Sequence, residues 1–322
     1  MSAFKGVWVF SENLDLAMEM LSKGRELANK LQTELAAIVI GYNVKEQAEE
    51  LAKYGTDRVY VVDSPNCRNL QTEPYLSALM HLASKQPPEI ILIGSTRRGR
   101  ELAARLATRL KVGLVQDVFR LDINDDGKIT AARVVYGGSG IALTTYQIKP
   151  QIATVPPRTF DKPKPSEKKA EIVYESLELE EPKTEVVEIR TAETAKARIE
   201  EASVVICGGR GVAKKDDFKM LEELANILGG QVGATRPLAE DRKWFHEWIG
   251  LSGKKIKPEI YIGCGISGMI QHIAGIRDSK VIVAINNDPN APIFEMADYI
   301  VVGDMYQIVP ALIESLRTVF KK

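Results

Sequence analysis

Short, almost wholly apolar runs alternate with amphipathic segments along this chain, and no other feature limits its fold as much. In the first half the runs are residues 6–10, 35–40, 58–62 and 89–94. Between them, residues 14–31 place Leu16, Met20, Leu21, Leu27 and Leu31 at helical spacing, and 45–53, 75–85 and 100–110 also read as helices. A strand without polar alternation is buried on both faces, as in a parallel sheet covered by helices on two sides. The expected class is therefore α/β, doubly wound.

The same grammar returns in the second half. Runs at 204–207, 259–262, 281–285 and 299–302 each lead into small or polar residues. Helices are expected at 215–228, stopped by Gly229-Gly230, and at 307–320 with Pro310 in the first turn. Between the halves the pattern changes. Residues 128–138 and 141–149 alternate around Gly137-Gly138, as antiparallel strands added to the first sheet would. The stretch 162–188 is rich in Lys, Glu and Pro and reads as edge strands or a linker. Two doubly wound domains are expected, 1–192 and 193–322.

Several function classes drop out on composition. Lys plus Arg (43) balance Asp plus Glu (43), so no basic excess points to nucleic acid. No apolar run nears the roughly 20 residues of a bilayer span, so no direct membrane insertion is expected. Cys67, Cys207 and Cys264 are far apart and without metal spacing, and the N-terminus lacks an apolar signal core, so the expectation is a cytoplasmic protein without a metal site. No Ser-His-Asp order, His-Glu-x-x-His or Walker lysine motif marks a catalytic residue.

The chemistry lies at the strand ends. Gly263-Cys-Gly-Ile-Ser-Gly268 satisfies G-x-G-x-x-G between a strand and a helix, a turn that brings backbone N–H groups to a pyrophosphate. Asp288, 20 residues beyond, stands where a ribose-binding acid would sit in an NAD site, yet a second glycine turn, Gly208-Gly-Arg-Gly211, already occupies the first strand of the domain. In that turn Arg210 adds a fork of donors to backbone N–H groups. Arg236, before Pro237, is biased to extended backbone and points to the ligand edge of the sheet. Gln271 and His272 follow Ser267 on a helix, where a lone His is more often a structural hydrogen bonder. Trp244, Phe245 and Trp248 around His246 read as packing or a partner contact. Three arginines in residues 94–101 suit either an anion or a partner subunit.

Taken together, residues 258–275, 278–294 and 297–304 resemble the FAD-domain signature of the electron-transfer flavoprotein α subunit, and the resemblance extends over essentially the whole chain. It implies a heterodimer whose β subunit holds a second nucleotide, AMP or FAD, and packs on the N-terminal domain. It also implies an electron carrier between flavin dehydrogenases of the acyl-CoA type, as in fatty acid β-oxidation, or NADH, and a quinone oxidoreductase or ferredoxin. Some members are electron-bifurcating. By residue, the resemblance puts Arg236 beside the isoalloxazine, favouring its reduced, anionic forms. Leu251 and Ser252 fall in the flavin N5 region, with Ser252 the hydrogen-bonding hydroxyl. Gly265, Ile266, Ser267 and Gly268 form the pyrophosphate turn, and Thr235 lies near the phosphates. Gln271 contacts the cofactor and His272 the C2 carbonyl end of the flavin. Asn286 and Asp304 hold the adenosine part, and Arg210 supports the same region.

Three positions depart from the family pattern: Leu251 stands for the usual Gln, Ser252 for Thr and Gly263 for Ala. These bear on redox potential more than on FAD binding. Within this pattern Asp288 belongs to a turn. Two other readings compete: an NAD-dependent oxidoreductase using residues 263–268, and a regulatory module binding adenine nucleotide.

Overall fold

Every expected apolar run is a β-strand, and a side chain caps the start of two of the helices, those at residues 14 and 97. The computed structural model describes residues 4–166, 170–179, 181–188 and 199–320. The chain divides into units of residues 1–189 and 190–322. The boundary expected between 192 and 193 lies outside the described residues.

The first unit runs β1 (Val7–Phe10), α1 (Leu14–Lys30), β2 (Leu35–Gly41), α2 (Lys45–Leu51), β3 (Arg58–Asp63), α3 (Thr72–Lys85), β4 (Ile90–Gly94) and α4 (Arg97–Leu110). It continues with β5 (Leu114–Val115), β6 (Val118–Ile123), β7 (Ile129–Val135), β8 (Gly140–Thr145), β9 (Gln151–Val155) and β10 (Glu171–Tyr174). The main sheet has the order β10-β3-β2-β1-β4-β9-β5 and is parallel throughout. Val7 and Val9 pack with α1 and α2 residues, while Trp8 and Phe10 face α3 and α4 residues, which is why the strands have no polar side. The Asn13 side chain accepts from Leu16 N at 3.0 Å and starts α1. Thr96 accepts from Gly99 N at 2.8 Å, so α4 begins a turn earlier than the apolar spacing indicates.

One expectation needs correction. The antiparallel strands β6, β7 and β8 do not extend the first sheet but form a three-stranded sheet of their own. Val118, Leu121, Ile129 and Ala131 give it an apolar inner face in the core of the unit. The stretch after residue 162 supplies one edge strand, β10, parallel to β3.

The second unit runs β11 (Val204–Gly208), α5 (Phe218–Ile227), β12 (Gln231–Ala234), α6 (Arg236–Glu240), β13 (Ile260–Cys264), α7 (Ile270–Ile276), β14 (Val281–Asn286), β15 (Tyr299–Val302) and α8 (Met305–Phe320). Its parallel sheet has the order β12-β11-β13-β14-β15. α8 starts at Met305, so Pro310 lies inside the helix rather than in its first turn. From β11 the chain moves outward to β12 and then returns across β11 to β13. That reversal opens a crevice at the carboxyl ends of β11 and β13, the usual ligand position in such sheets.

The aromatic cluster around His246 divides. Trp244 and Phe245 pack on Phe218, with ring centroids 6.3 and 4.7 Å away, and join the core with α5 and α8. Trp248 belongs instead to the wall of the crevice.

Candidate functional site

A cavity of about 490 Å³ fills the crevice. The turn after β11 contributes Arg210, and the β12–α6 junction contributes Thr235 and Arg236. The segment before β13 contributes Leu251 and Ser252, and the turn after β13 contributes Gly265, Ile266, Ser267 and Gly268. Gln271 and His272 come from α7 and Asn286 from the end of β14. Of the residues expected at the site, Asp304 alone is not in the lining. Its carboxylate accepts from Tyr306 N at 3.0 Å and its carbonyl from Gln307 and Ile308, so it caps α8.

Two glycine turns form the floor by direct backbone contact. Gly209 N donates to Cys264 O and Gly211 N to Gly265 O, both at 3.0 Å. A Cβ at Gly209 would stand 2.3 Å from the Gly265 carbonyl oxygen, and Gly265 itself has φ +63°. Only glycine permits that approach. The first turn is also strapped from outside. Arg242 Nη1 donates to Val212 O at 2.8 Å, and the Tyr306 hydroxyl accepts from Ala213 N while donating to Asp217.

Asn286 braces the second turn. Its Nδ2 donates to Ile266 O at 2.7 Å and its Oδ1 accepts from Asp288 N at 2.9 Å. The Asp288 carboxylate accepts from Asn290 N, so it shapes the following turn and does not line the cavity. An NAD site that needs Asp288 on a ribose finds that group engaged elsewhere.

Most of the remaining polar groups are uncommitted. Among the described residues the side chains of Arg210, Ser252, Ser267 and Gln271 make no hydrogen bond or ion pair, and the N–H groups of Ser267, Gly268 and Met269 find no acceptor there either. The Thr235 hydroxyl is buried without a partner, and so is the Trp248 indole N–H. Arg236 Nε donates to Glu240 at 2.5 Å, and its guanidinium lies 5.8 Å from the centre of the Trp248 ring. Cations and free N–H groups beside an apolar wall suit an anionic ligand with a flat ring.

His272 is buried between two partners. Nδ1 lies 3.0 Å from the Ile249 carbonyl and Nε2 lies 2.7 Å from the Tyr261 hydroxyl. A carbonyl only accepts, so Nδ1 carries the proton and Nε2 accepts from Tyr261. Burial pushes the imidazole pKa down to about 4, so the ring is neutral at pH 7. In this arrangement both ring nitrogens are engaged within the protein. The direct contact expected from His272 to a flavin carbonyl therefore has no free N–H behind it. Sequence reasoning missed Tyr261 and Trp248, because an aromatic residue in a strand or beside other aromatics carries the same pattern as core.

Comparison with known proteins gives the family. Residues 7–181 match the family described as "Electron transfer flavoprotein domain", and residues 198–277 match "Electron transfer flavoprotein FAD-binding domain". The chain is 38% identical over 329 residues to the electron transfer flavoprotein subunit alpha of Thermoanaerobacterium thermosaccharolyticum, covering 98% of this chain and 99% of that one. It is 39% identical over 328 residues to the subunit alpha of Clostridium acetobutylicum, covering 98% and 97%. It is 36% identical over 329 residues to the lactate dehydrogenase (NAD(+),ferredoxin) subunit LctC of Acetobacterium woodii, covering 98% of this chain and 78% of that one. The cavity lies in the unit that carries the FAD-binding match, and the chain belongs to the electron-transfer flavoprotein α-subunit family.

Proposed function

We propose that the cavity of the second unit holds FAD and that the chain carries electrons as the α subunit of a heterodimer. The observation that carries this reading is the meeting of two glycine turns, lined by uncommitted polar side chains, inside the region matched to an FAD-binding family. Bound FAD would supply one- and two-electron redox chemistry.

The protein's part is binding and electrostatics. Ser267 and the N–H groups of residues 267–269 receive the pyrophosphate, with Arg210 and the Thr235 hydroxyl beside it. Arg236 lies along the isoalloxazine and stabilises charge added to it, and Ser252 offers its hydroxyl to N5. Gln271 contacts the ring or its side chain. Asn286 and Asp304 serve the adenosine end indirectly, one by bracing residue 266 and the other by capping α8. His272, held from behind by the Tyr261 hydroxyl, adds a neutral ring to the lining.

The first unit packs on a β subunit that carries AMP or a second FAD. Donors are acyl-CoA-type dehydrogenases or NADH, and acceptors are a quinone oxidoreductase or ferredoxin. The name of the Acetobacterium woodii relative, with NAD(+) and ferredoxin in it, supports the bifurcating version. We place the protein in the cytoplasm.

The test is a visible spectrum of the chain co-expressed with its β subunit, followed by heat release and identification of the cofactor. Flavin bands and released FAD are expected, with one FAD per dimer for a simple carrier and two for a bifurcating one. A folded, colourless dimer that cannot be reconstituted with FAD would overturn the reading.

A further inference from the structure

Tyr261 does not touch the cavity, yet it governs a residue that does. Its side chain is fully buried on β13, where Gly263 leaves it room, since a Cβ there would stand 3.1 Å from Tyr261 Cε1. Its hydroxyl donates to His272 Nε2, and His272 Nδ1–H in turn donates to the Ile249 carbonyl. Ile249 N donates to Ala234 O at 2.9 Å, and Leu251 N to Gln271 O at 2.7 Å. The 249–252 wall thus hangs from β12 by one end and from α7 by the other, and the His272 side chain grips its backbone at the Ile249 carbonyl. That grip needs the proton on Nδ1, and the Tyr261 hydroxyl is what holds it there.

We propose that Tyr261 is a positioning residue of the site: through His272 it fixes the Ile249 carbonyl, and with it the wall that presents Leu251 and Ser252 to the ligand. The proposal rests on the FAD reading for its binding readout alone. Tyr261→Phe keeps the ring and its packing and removes one donor. His272 Nε2 is then a buried acceptor without a partner, and the ring is released to exchange tautomer or turn towards the cavity.

The experiment uses the full chain labelled with 15N-histidine, with the His272 signals assigned by their loss in His272→Gln. The wild type at pH 7 is expected to show a neutral imidazole with its proton on Nδ1. In Tyr261→Phe that signature gives way to mixed tautomers or to Nε2–H. Reconstitution of the variant with the β subunit and FAD is expected to show a Kd raised on the order of tenfold, the size of one buried partner lost. A wild-type His272 protonated on Nε2, or doubly protonated, would overturn the proposal without any variant. So would a Tyr261→Phe protein that keeps the wild-type signature, or one with unchanged FAD affinity. If the wild-type dimer takes up no FAD, the FAD reading fails, and the tautomer measurements still decide the role of Tyr261.

Discussion

Arg236 approaches the cavity with its counter-ion attached: its Nε lies 2.5 Å from the Glu240 carboxylate one helical turn away, and its guanidinium faces the Trp248 ring. The pair is half exposed and adds under about 0.5 kcal/mol to stability. Its weight falls on the ligand. Arg236→Ala is expected to lower the reduction potential of bound FAD, and Glu240→Gln, which frees the cation, to raise it. Shifts on the order of 30 mV correspond to about 1.4 kcal/mol for a two-electron couple. Redox titration of both variants decides the point, and shifts of the same sign would show that the Arg236 charge does not reach the ring.

Gly209→Ala is expected to disrupt the site severely. Its Cβ would press on the Gly265 carbonyl and Ile266, prising the two turns apart at a cost of about 1–3 kcal/mol. FAD content after purification should fall by more than tenfold. Gly229→Ala is the control. Its φ of +65° makes Ala unfavourable by about 1 kcal/mol, but a Cβ there meets nothing within 4 Å. Stability should fall while FAD content holds.

Ser252→Ala and Gln271→Ala should separate binding from folding. Neither side chain has a partner within the described residues, so melting of the apo chain should move by no more than about 0.5 kcal/mol. FAD affinity should fall several-fold in both. Equal losses of stability and affinity would mean that these residues hold the fold.

His272 makes stability depend on pH. Its folded pKa, about 4, lies below the ordinary 6.5, so the unfolded chain takes up the proton first as pH falls. The stability it contributes is fully present above pH 6.5 and is lost between 6.5 and 4, by roughly 3 kcal/mol in all. Urea unfolding at pH 7.5 and pH 5 should show this slope in the wild type and a reduced slope in His272→Gln. An identical slope in both would place the dependence on other groups.

Much of the architecture was legible because burial leaves a periodic trace. A strand covered on both faces must be apolar throughout, so residues 7–10, 35–41, 90–94 and 204–208 announce themselves, and the turns that follow them must be small or polar. The long match around Ser267 and His272 carried the family and most of the cavity lining. Two of the three antiparallel strands, β7 and β8, were also visible as alternation at 128–138 and 141–149. That they form a separate sheet was not, because alternation states which face is buried and not which strand lies alongside.

The sequence by itself determined the class of fold, the order of most of its elements, the family and most of the residues that gather at the carboxyl edge of the second sheet. These follow from local pattern: the period of apolar residues and the glycines of the turns and helix ends. Only the tertiary structure decided which of those residues are free. Placing β13 beside β11 set Gly209 against Gly265. Placing α7 between β13 and the 249–252 segment occupied both nitrogens of His272, the fold around residue 248 parted Trp248 from Trp244, and the turn after β14 consumed Asn286 and Asp288. A side chain's chemistry is written at its own position, whereas its hydrogen-bond partner is supplied by whatever distant segment the packing brings within 3 Å.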